Sequence, residues 1–595
     1  MISASEVQAS RTRSMCRTER AWWIVSLGLG LLALWVRKYA IYSDGISYLE
    51  IAAKYRAGDW KGAVNAYWSP LYSWVLAAAG WLLRPSAQWE VPMLHLVNFL
   101  AFAGSLFTFR FLLRQLTLFV TDNRGLQTEQ DYRSWISVAY ALFLWGGLYL
   151  TDLGLVMPDG IVALLLYAIT GVLIIIARGR SARRHFVLLG SLIGLCYLTK
   201  AAFFVGSVLF LVPILAVVKP FSVAVKRALI AGGTFAIVVS PWIVTISQTK
   251  GHWTIGTSGT INYSWEVGPA RRWTHWQGEP GDMGFPAHPT VRLMDSPPVF
   301  GFGKPIEATY PPWYDPSYWY EGIKPSFLPF RQAYVFLLNL RYVGALILAA
   351  PGLAWCIWIF GTNRDLRFRF RALMAKAWII WFPPLGLIIM YGLVVIEDRY
   401  VAAALVTIAL TAMAAAFGTC GHQVSKRNAV RLSVATCAAF LAFQVLIGVY
   451  IIGRDLVNGK EMFPNRSFQV AQEMEATGLR RGASIAYIGE GRSADWARIL
   501  GARIVAEISV RFDRSTGFSL STKPNRVDTD SFWKATPEKQ QEVLDTFQRA
   551  GAEAVAADLV PEWANTSGWI RLSTPIYKEE GTPWTYLHFL APPSR

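Results

Sequence analysis

Apolar residues in this chain come in long runs, and the loops between the runs alternate between basic and acidic-aromatic character. About eleven runs approach the ~20 residues that a helix rising 1.5 Å per residue needs to cross a hydrocarbon core of about 30 Å. They lie near 22–41, 92–113, 135–151, 159–177, 186–199, 201–218, 228–246, 342–360, 377–396, 401–418 and 432–452. Threaded alternately, they place segments 1–21, 114–134, 178–185, 219–227, 361–376 and 419–431 on one face. These segments hold 22 Lys+Arg against six Asp+Glu, and the positive-inside rule makes that face cytoplasmic. Residues 42–91, 152–158, Lys200, 247–341, 397–400 and all from Gly453 then lie outside.

Within residues 42–91, an apolar stretch from Ser69-Pro70-Leu71-Tyr72 to Leu83 is too short to span and reads as interfacial or re-entrant, since one more crossing would invert every later loop against the charge bias. The second outer loop, about 247–333, is dense in Gly, Pro, Trp and Tyr and has little regular periodicity. A loop that long is functional or disordered, and this one is too aromatic for disorder. From about Pro464 the pattern becomes that of a soluble domain. Strand-like runs at Ala483–Ile488, Arg503–Ile508 and Ala554–Ala557 alternate with helical spacing at 466–477, 494–500 and 538–550, which predicts a small α/β domain. The expected fold class is a polytopic α-helical membrane protein with a C-terminal soluble α/β domain. Its parts are a cytoplasmic tail (1–21), a transmembrane domain (22–452) with outer loops 42–91 and 247–333, and an extracytoplasmic domain (453–595).

Composition sharpens this picture. The chain is 53% hydrophobic with 26 Trp, and its +18 net charge is almost accounted for by the cytoplasmic segments. That excludes nucleic acid as a partner, because a nucleic-acid footprint gathers on one face or stripe. The five cysteines are scattered over spans and cytoplasmic segments, so no disulfide framework is expected outside and no Cys metal site. The first span lacks a small-residue cleavage site and reads as an anchor. Gly489-Glu490-Gly491 lacks the rest of a dinucleotide fingerprint.

The candidate chemistry gathers at outer helix ends. Asp44 lies just past the first span, where a carboxylate at an apolar boundary is placed to accept a proton. Asp152 and Asp159 bracket the short turn between the third and fourth spans, and Asp159, following Pro158, is also placed to cap a helix. Lys200 joins the fifth and sixth spans, either snorkelling to headgroups or meeting an anionic group from the lipid side. Glu397-Asp398-Arg399-Tyr400 makes the whole turn between the ninth and tenth spans. Transporters place polar groups at mid-membrane in interrupted helices, often in repeated halves, and no such repeat is present. The widely spaced His252, His275 and His288 match no metal motif.

Residues 20–455 resemble the GT-C glycosyltransferases, which use polyprenyl-phosphate sugars and include protein O-mannosyltransferases and lipid A aminoarabinose transferases. The resemblance rests on Ser43-Asp44-Gly45, Tyr48, Gly58-Asp59-Trp60 and Ser69-Pro70-Leu71-Tyr72. Met157-Pro158-Asp159-Gly160, Gly194 to Lys200, Glu397-Asp398-Arg399-Tyr400 and Tyr310-Pro311-Pro312-Trp313-Tyr314-Asp315-Pro316 extend it. It implies an inverting transferase of the bacterial inner membrane, moving a hexose or pentose from a polyprenyl-phosphate donor to a protein, lipid or polysaccharide acceptor of the cell envelope. Asp44 is then the catalytic base. Substrate binding falls to Tyr48, Asp59, Asp152, Asp159, Lys200, Trp313, Tyr314, Glu397, Asp398, Arg399 and Tyr400, with Lys200 and Arg399 on the donor phosphate. Trp265, Trp273, Trp276, Trp313 and Trp319 either stack on sugar faces or form a belt on the headgroups. Many relatives carry a second acid after the first, whereas Gly45 follows Asp44, which puts a divalent metal clamped by adjacent carboxylates in doubt; no cofactor is certain, and a divalent metal stays open. The alternative reading is a transporter or flippase of lipid-linked glycans.

Overall fold

Proline, glycine and charge mark where the helices of the bundle begin and end. The computed structural model describes residues 4–120, 129–180, 182–269, 274–278, 281, 283–303, 308–353, 364–419, 423–458, 464–511, 526–575 and 584–590. The bundle comprises α1 (Ala4–Val36), then, after the outer helices α2 (Ser43–Arg56) and α3 (Pro70–Leu83), α4 (Glu90–Val120), α5 (Glu129–Leu144) and α6 (Asp159–Ala177). It continues with α7 (Arg183–Thr199), α8 (Phe203–Val217) and α9 (Phe221–Lys250). The aromatic loop carries short helices α10 (Ser258–Glu266), α11 (Pro311–Tyr314) and α12 (Pro316–Trp319). Then come α13 (Pro329–Ala349), α14 (Arg364–Lys376), α15 (Trp378–Gly392), α16 (Asp398–Thr419) and α17 (Gln423–Asn458).

Among the described residues six helices are long and apolar enough to cross a membrane, and up to eight if the bent pairs in α14–α15 and within α17 each count as one span. Of the expected span at 342–360, residues 354–360 lie outside the described residues. Its helix starts at Pro329, which occupies the first turn, and stops at Ala349, where Pro351 and Gly352 (φ +82°) turn the chain away. α3 is 14 residues long, about 21 Å, so it is short of a crossing, as the sequence predicts.

α16 runs through the middle of the bundle. Its Ala402, Ala403, Ala404, Ala409 and Ala416 are all buried, and small side chains let neighbouring helices approach closely. α5 meets it through a widened turn, the π-helical Trp145–Leu150. A Cβ on Gly146 there would come 2.3 Å from Val406 Cγ2 of α16, so only glycine allows this crossing.

The C-terminal helices are α18 (Arg466–Ala476), α19 (Asp495–Leu500), α20 (Val527–Trp533) and α21 (Pro537–Arg549). Asn465 and Thr536 cap α18 and α21, accepting from Phe468 N and Lys539 N. The sheet contains seven strands, β1 (Val291–Met294), β2 (Val299–Gly301), β3 (Ser484–Gly489), β4 (Arg503–Ser509), β5 (Ala554–Ala557), β6 (Ile570–Pro575) and β7 (Trp584–Phe589), in the order β1-β2-β4-β3-β5-β7-β6. The three expected strands form the parallel centre β4-β3-β5. The outer loop supplies the unexpected edge, β2 pairing antiparallel with β4 through Phe300 opposite Glu507. One apolar core joins α2, α3, the turn at Val156, the aromatic loop and one face of this sheet.

Two predictions follow from this packing. Gly146→Ala should cost about 1–3 kcal/mol by overpacking, lowering the melting temperature in detergent, and Val406→Ala in the same chain should restore most of it. In the sheet, buried Asp558 accepts from Tyr487 Oη and Glu490 N, and burial raises its carboxyl to about 7. A folded-state value above the unfolded one means that the protonated form's contribution is complete at low pH and is lost as pH rises through 7. Melting across pH 5–8 should therefore slope less in Asp558→Asn than in the wild type.

Candidate active site

α2 presents Asp44, Ser47 and Tyr48 at i, i+3 and i+4, on one face. The Asp44 carboxylate is 23% exposed. Its Oδ1 accepts from Trp313 Nε1 at 3.0 Å, and its Oδ2 lies 3.9 Å from Arg399 Nη2. Arg399, at the start of α16, also binds Glu397 Oε2 at 2.5 Å. Beside this, Lys200 Nζ sits 2.5 Å from Asp159 Oδ1, with the two side chains 16% and 3% exposed. The Tyr400 ring covers Lys200 Nζ at 4.0 Å and also faces Arg399. Asp159 Oδ2 has no hydrogen-bond partner among the described residues. Asp159 caps nothing: it opens α6 after Pro158 and turns its carboxylate to Lys200. Lys200 does not snorkel outward, because that carboxylate holds it inward.

Tyr48 is buried behind Asp44, its ring 5.1 Å from those of Trp68 and Tyr72. Burial, with Asp44 and Asp159 adding to it, raises its phenol well above the usual tyrosine value, so it is a neutral wall of the site. Asp44, Tyr48, Asp159, Lys200, Glu397, Arg399, Tyr400 and Trp313 thus form one connected group.

The other expected residues are engaged elsewhere. Asp152, at φ +49°, shapes its own turn by accepting from Gly154 N at 2.9 Å and pairs with Arg37 Nη1 at 2.7 Å. Asp398 accepts from the Tyr342 hydroxyl. Asp59 is exposed at the end of α2, held by Gly62 N and Lys54, which keep its carboxyl below the usual range. Tyr314 turns away, its hydroxyl donating to Gly62 O at 2.6 Å.

Sequence reasoning missed what holds Trp313 in place. Ser47 Oγ and Trp68 Nε1 both donate to Trp313 O, Asn65 Nδ2 donates to Tyr314 O at 2.7 Å, and Glu50, fully inside the core, accepts from Thr309 N at 2.8 Å. The i, i+3 spacing of Asp44, Ser47 and Glu50 is the signal that reading 42–56 as a helix would have exposed. Trp265, Trp276, Trp313 and Trp319 are all buried, so they form a core and not a headgroup belt; Trp273 lies outside the described residues. Exposed indoles of loops 42–91 and 247–333 include instead Trp60, Trp81, Trp89 and Trp253.

The second anchor is Glu507, fully buried in β4. Its Oε1 meets His275 Nε2 at 2.8 Å and accepts from Tyr310 Oη at 2.6 Å. The sheet thereby grips the loop on both sides of β1–β2. Gly489, Glu490, Gly491 and Arg492 close over Tyr310 and Trp313 around a cavity of ≈ 20 Å³, space for little more than a water and not for a nucleotide.

Asp44 and Asp159 each face a cation, and among the described residues no three His, Cys, Asp or Glu side chains group to hold an ion. His275 is committed to Glu507, His288 to Glu321 at 3.3 Å, and His252 to Lys250 O.

No protein-family model and no curated protein sequence matches the chain. Among solved structures it superposes on ArnT from Cupriavidus metallidurans bound to undecaprenyl phosphate, with a TM-score of 0.50 and 11% identity over 96% of this chain and 98% of that one. The apo state of the same protein gives 0.50 and 12% over the same shares. The archaeal oligosaccharyltransferase AglB from Archaeoglobus fulgidus, in complex with an inhibitory peptide and a dolichol-phosphate, overlaps at a TM-score of 0.37 and 12% identity, over 91% of this chain and 70% of that one. That overlap is too loose to bear on the fold. The likeness to ArnT is one of fold.

Truncating Glu507 to Ala should leave His275 and Tyr310 without their buried partner, at a cost of roughly 1–3 kcal/mol. Hydrogen exchange should then rise in peptides covering 274–278 and 308–320, while the peptide covering α6 keeps its protection.

Proposed function

We infer that this protein transfers a sugar from a polyprenyl-phosphate donor to an acceptor at the outer face of the bacterial inner membrane, with Asp44 as general base. The observation that carries this reading is the grouping at one rim of a carboxylate lightly held by an indole N–H with two cations backed by acids. The ArnT-like fold supports it, since that neighbour was solved with undecaprenyl phosphate. The excess of 22 Lys+Arg over six Asp+Glu on alternate segments supports a cytoplasmic N-terminus and a periplasmic C-terminal domain. Beneath the rim the bundle is filled by Phe102, Phe109, Phe143 and Leu410, each at most 2% exposed, which supports reaction at the surface over passage through it.

The donor's lipid lies in the bilayer and its phosphate meets Lys200 and Arg399. The acceptor hydroxyl or amine attacks the anomeric carbon as its proton passes to an Asp44 oxygen. The bond between that carbon and the phosphate oxygen breaks, and the electron pair leaves on the polyprenyl phosphate. Both cations then bind a more negative group than before, so their attraction grows toward the transition state. One displacement inverts the anomeric centre. Asp159 holds Lys200 in position. Tyr400 and Trp313 supply apolar walls that keep water from competing as the nucleophile.

In membranes expressing this chain, radiolabelled sugar should pass from one of a panel of polyprenyl-phosphate donors to an envelope acceptor. Asp44→Asn should lower that rate by about 10²–10⁴ with donor binding unchanged, whereas Lys200→Met should chiefly weaken donor binding. Equal transfer by wild type and Asp44→Asn would remove Asp44 as the base. Label carried across the membrane without transfer would favour a flippase.

A further inference from the structure

The break between α14 and α15 separates charge from apolar surface. α15 carries no charged residue, whereas α14 holds Arg364, Arg367, Arg369, Arg371 and Lys376 against one acid, Asp365. The chain bends by 81° between Lys376 and Trp378. With α15 in the bilayer, a helix turned that far from it runs along the membrane surface and not into the hydrocarbon, where its cations would be costly. α14 lies at the end of α15 away from Glu397 and Arg399, so it is remote from the rim group at Asp44.

The two sides of α14 differ. Phe370, Leu373 and Met374, at i, i+3 and i+4, are half-buried, and Phe370 packs on the core of the bundle. Arg364, Phe368 and Arg371, at i, i+4 and i+7, form a line on the other side. All three are exposed, Phe368 to 76%, and so is Arg369 beside them. Among the described residues no acid pairs with Arg364, Arg369 or Arg371. By contrast, Arg110 and Arg114 of α4 share Glu19, and Arg133 of α5 binds Glu129.

A face turned only to water gains nothing from a phenylalanine set between two arginines, because an exposed ring forfeits most of its burial energy. A bilayer surface uses both residue types. The ring enters the acyl boundary, while the guanidinium groups on their long stems meet phosphates. Charge complementarity then names the lipid. Zwitterionic headgroups offer no net charge to a line of unpaired cations, and anionic headgroups do. The exposed ring and the place at the membrane surface favour such a lipid over a soluble polyanion.

We propose that α14 is an interfacial helix whose line of Arg364, Phe368 and Arg371, with Arg369 beside it, binds anionic phospholipid of the leaflet on which it lies. This contact does not depend on the transfer reading.

The test uses the full chain in phosphatidylcholine nanodiscs doped with one of two probes, phosphatidylglycerol or phosphatidylcholine, each carrying a photoactivatable diazirine near the headgroup. Adducts on the peptide covering α14 should be about ten-fold or more richer with the phosphatidylglycerol probe. Arg364→Gln, Arg369→Gln and Arg371→Gln together should remove that preference at an unchanged elution volume. Lys at the same three positions should keep it, which separates charge from any fold held by the arginines. Phe368→Ser should lower adducts with both probes. Equal labelling of α14 by the two probes in the wild type would overturn the proposal, as would a preference that survives in the Gln variant. Absence of label from either probe would place α14 away from the headgroups and overturn it as well.

Discussion

Charges at the rim of an apolar bundle must be paired, and that requirement organises one rim of this protein. Each ion withdrawn from water costs several kcal/mol, and the cost is recovered only where a partner sits in good geometry. Asp159 and Lys200, both largely out of solvent at 2.5 Å, meet that condition because Pro158 starts α6 where the α7–α8 turn can face it. Arg399 is shared between Glu397 at 2.5 Å and Asp44 at 3.9 Å. The cations therefore hold Asp159 and Glu397 closely and Asp44 only from a distance. Asp44 takes its one short hydrogen bond from a neutral indole, which leaves its other oxygen the least committed acid of the group.

That indole is where the soluble part of the molecule enters the chemistry. Trp313 is fixed by α2 below it and by the sheet above it, through Tyr310 on Glu507 and the pairing of β2 with β4. Because α2, the aromatic loop and the sheet share one core, the C-terminal domain is part of the scaffold that sets the position of Asp44.

Much of the membrane part was legible from its pattern, since hydropathy and basic loops report directly on a bilayer. The charged residues that gather at the rim were also visible, Asp44, Asp159, Lys200 and Arg399 all lying at outer ends of spans. Three things were not. α2 hid because it is polar at both ends and buried in between, so neither a span nor an amphipathic stripe announces it. β1 and β2 are four and three residues long, and a hairpin that short, completed by β4 some 200 residues away, leaves no local alternation to read. Asp152, Asp398 and Asp59 look like their neighbours in sequence, yet Arg37, Tyr342 and Lys54 claim them. Partners for a charge are decided by tertiary contact, which spacing does not encode.

Near-complete overlap with ArnT at 11% identity is what this division of labour allows. The bundle interior needs only apolar volume of about the right size, and cores tolerate extensive exchange when total volume is kept. Even α16, whose alanines set how closely its neighbours pack, asks for small residues and not for particular ones. The rim is different: an Asp–Lys pair at 2.5 Å under a tyrosine ring does not survive exchange of one partner, because the survivor becomes an unpaired buried charge. The fold can therefore drift widely in sequence while the rim cannot drift one residue at a time. Shape is more readily altered in the loops, where exposed substitutions do not strand a buried charge.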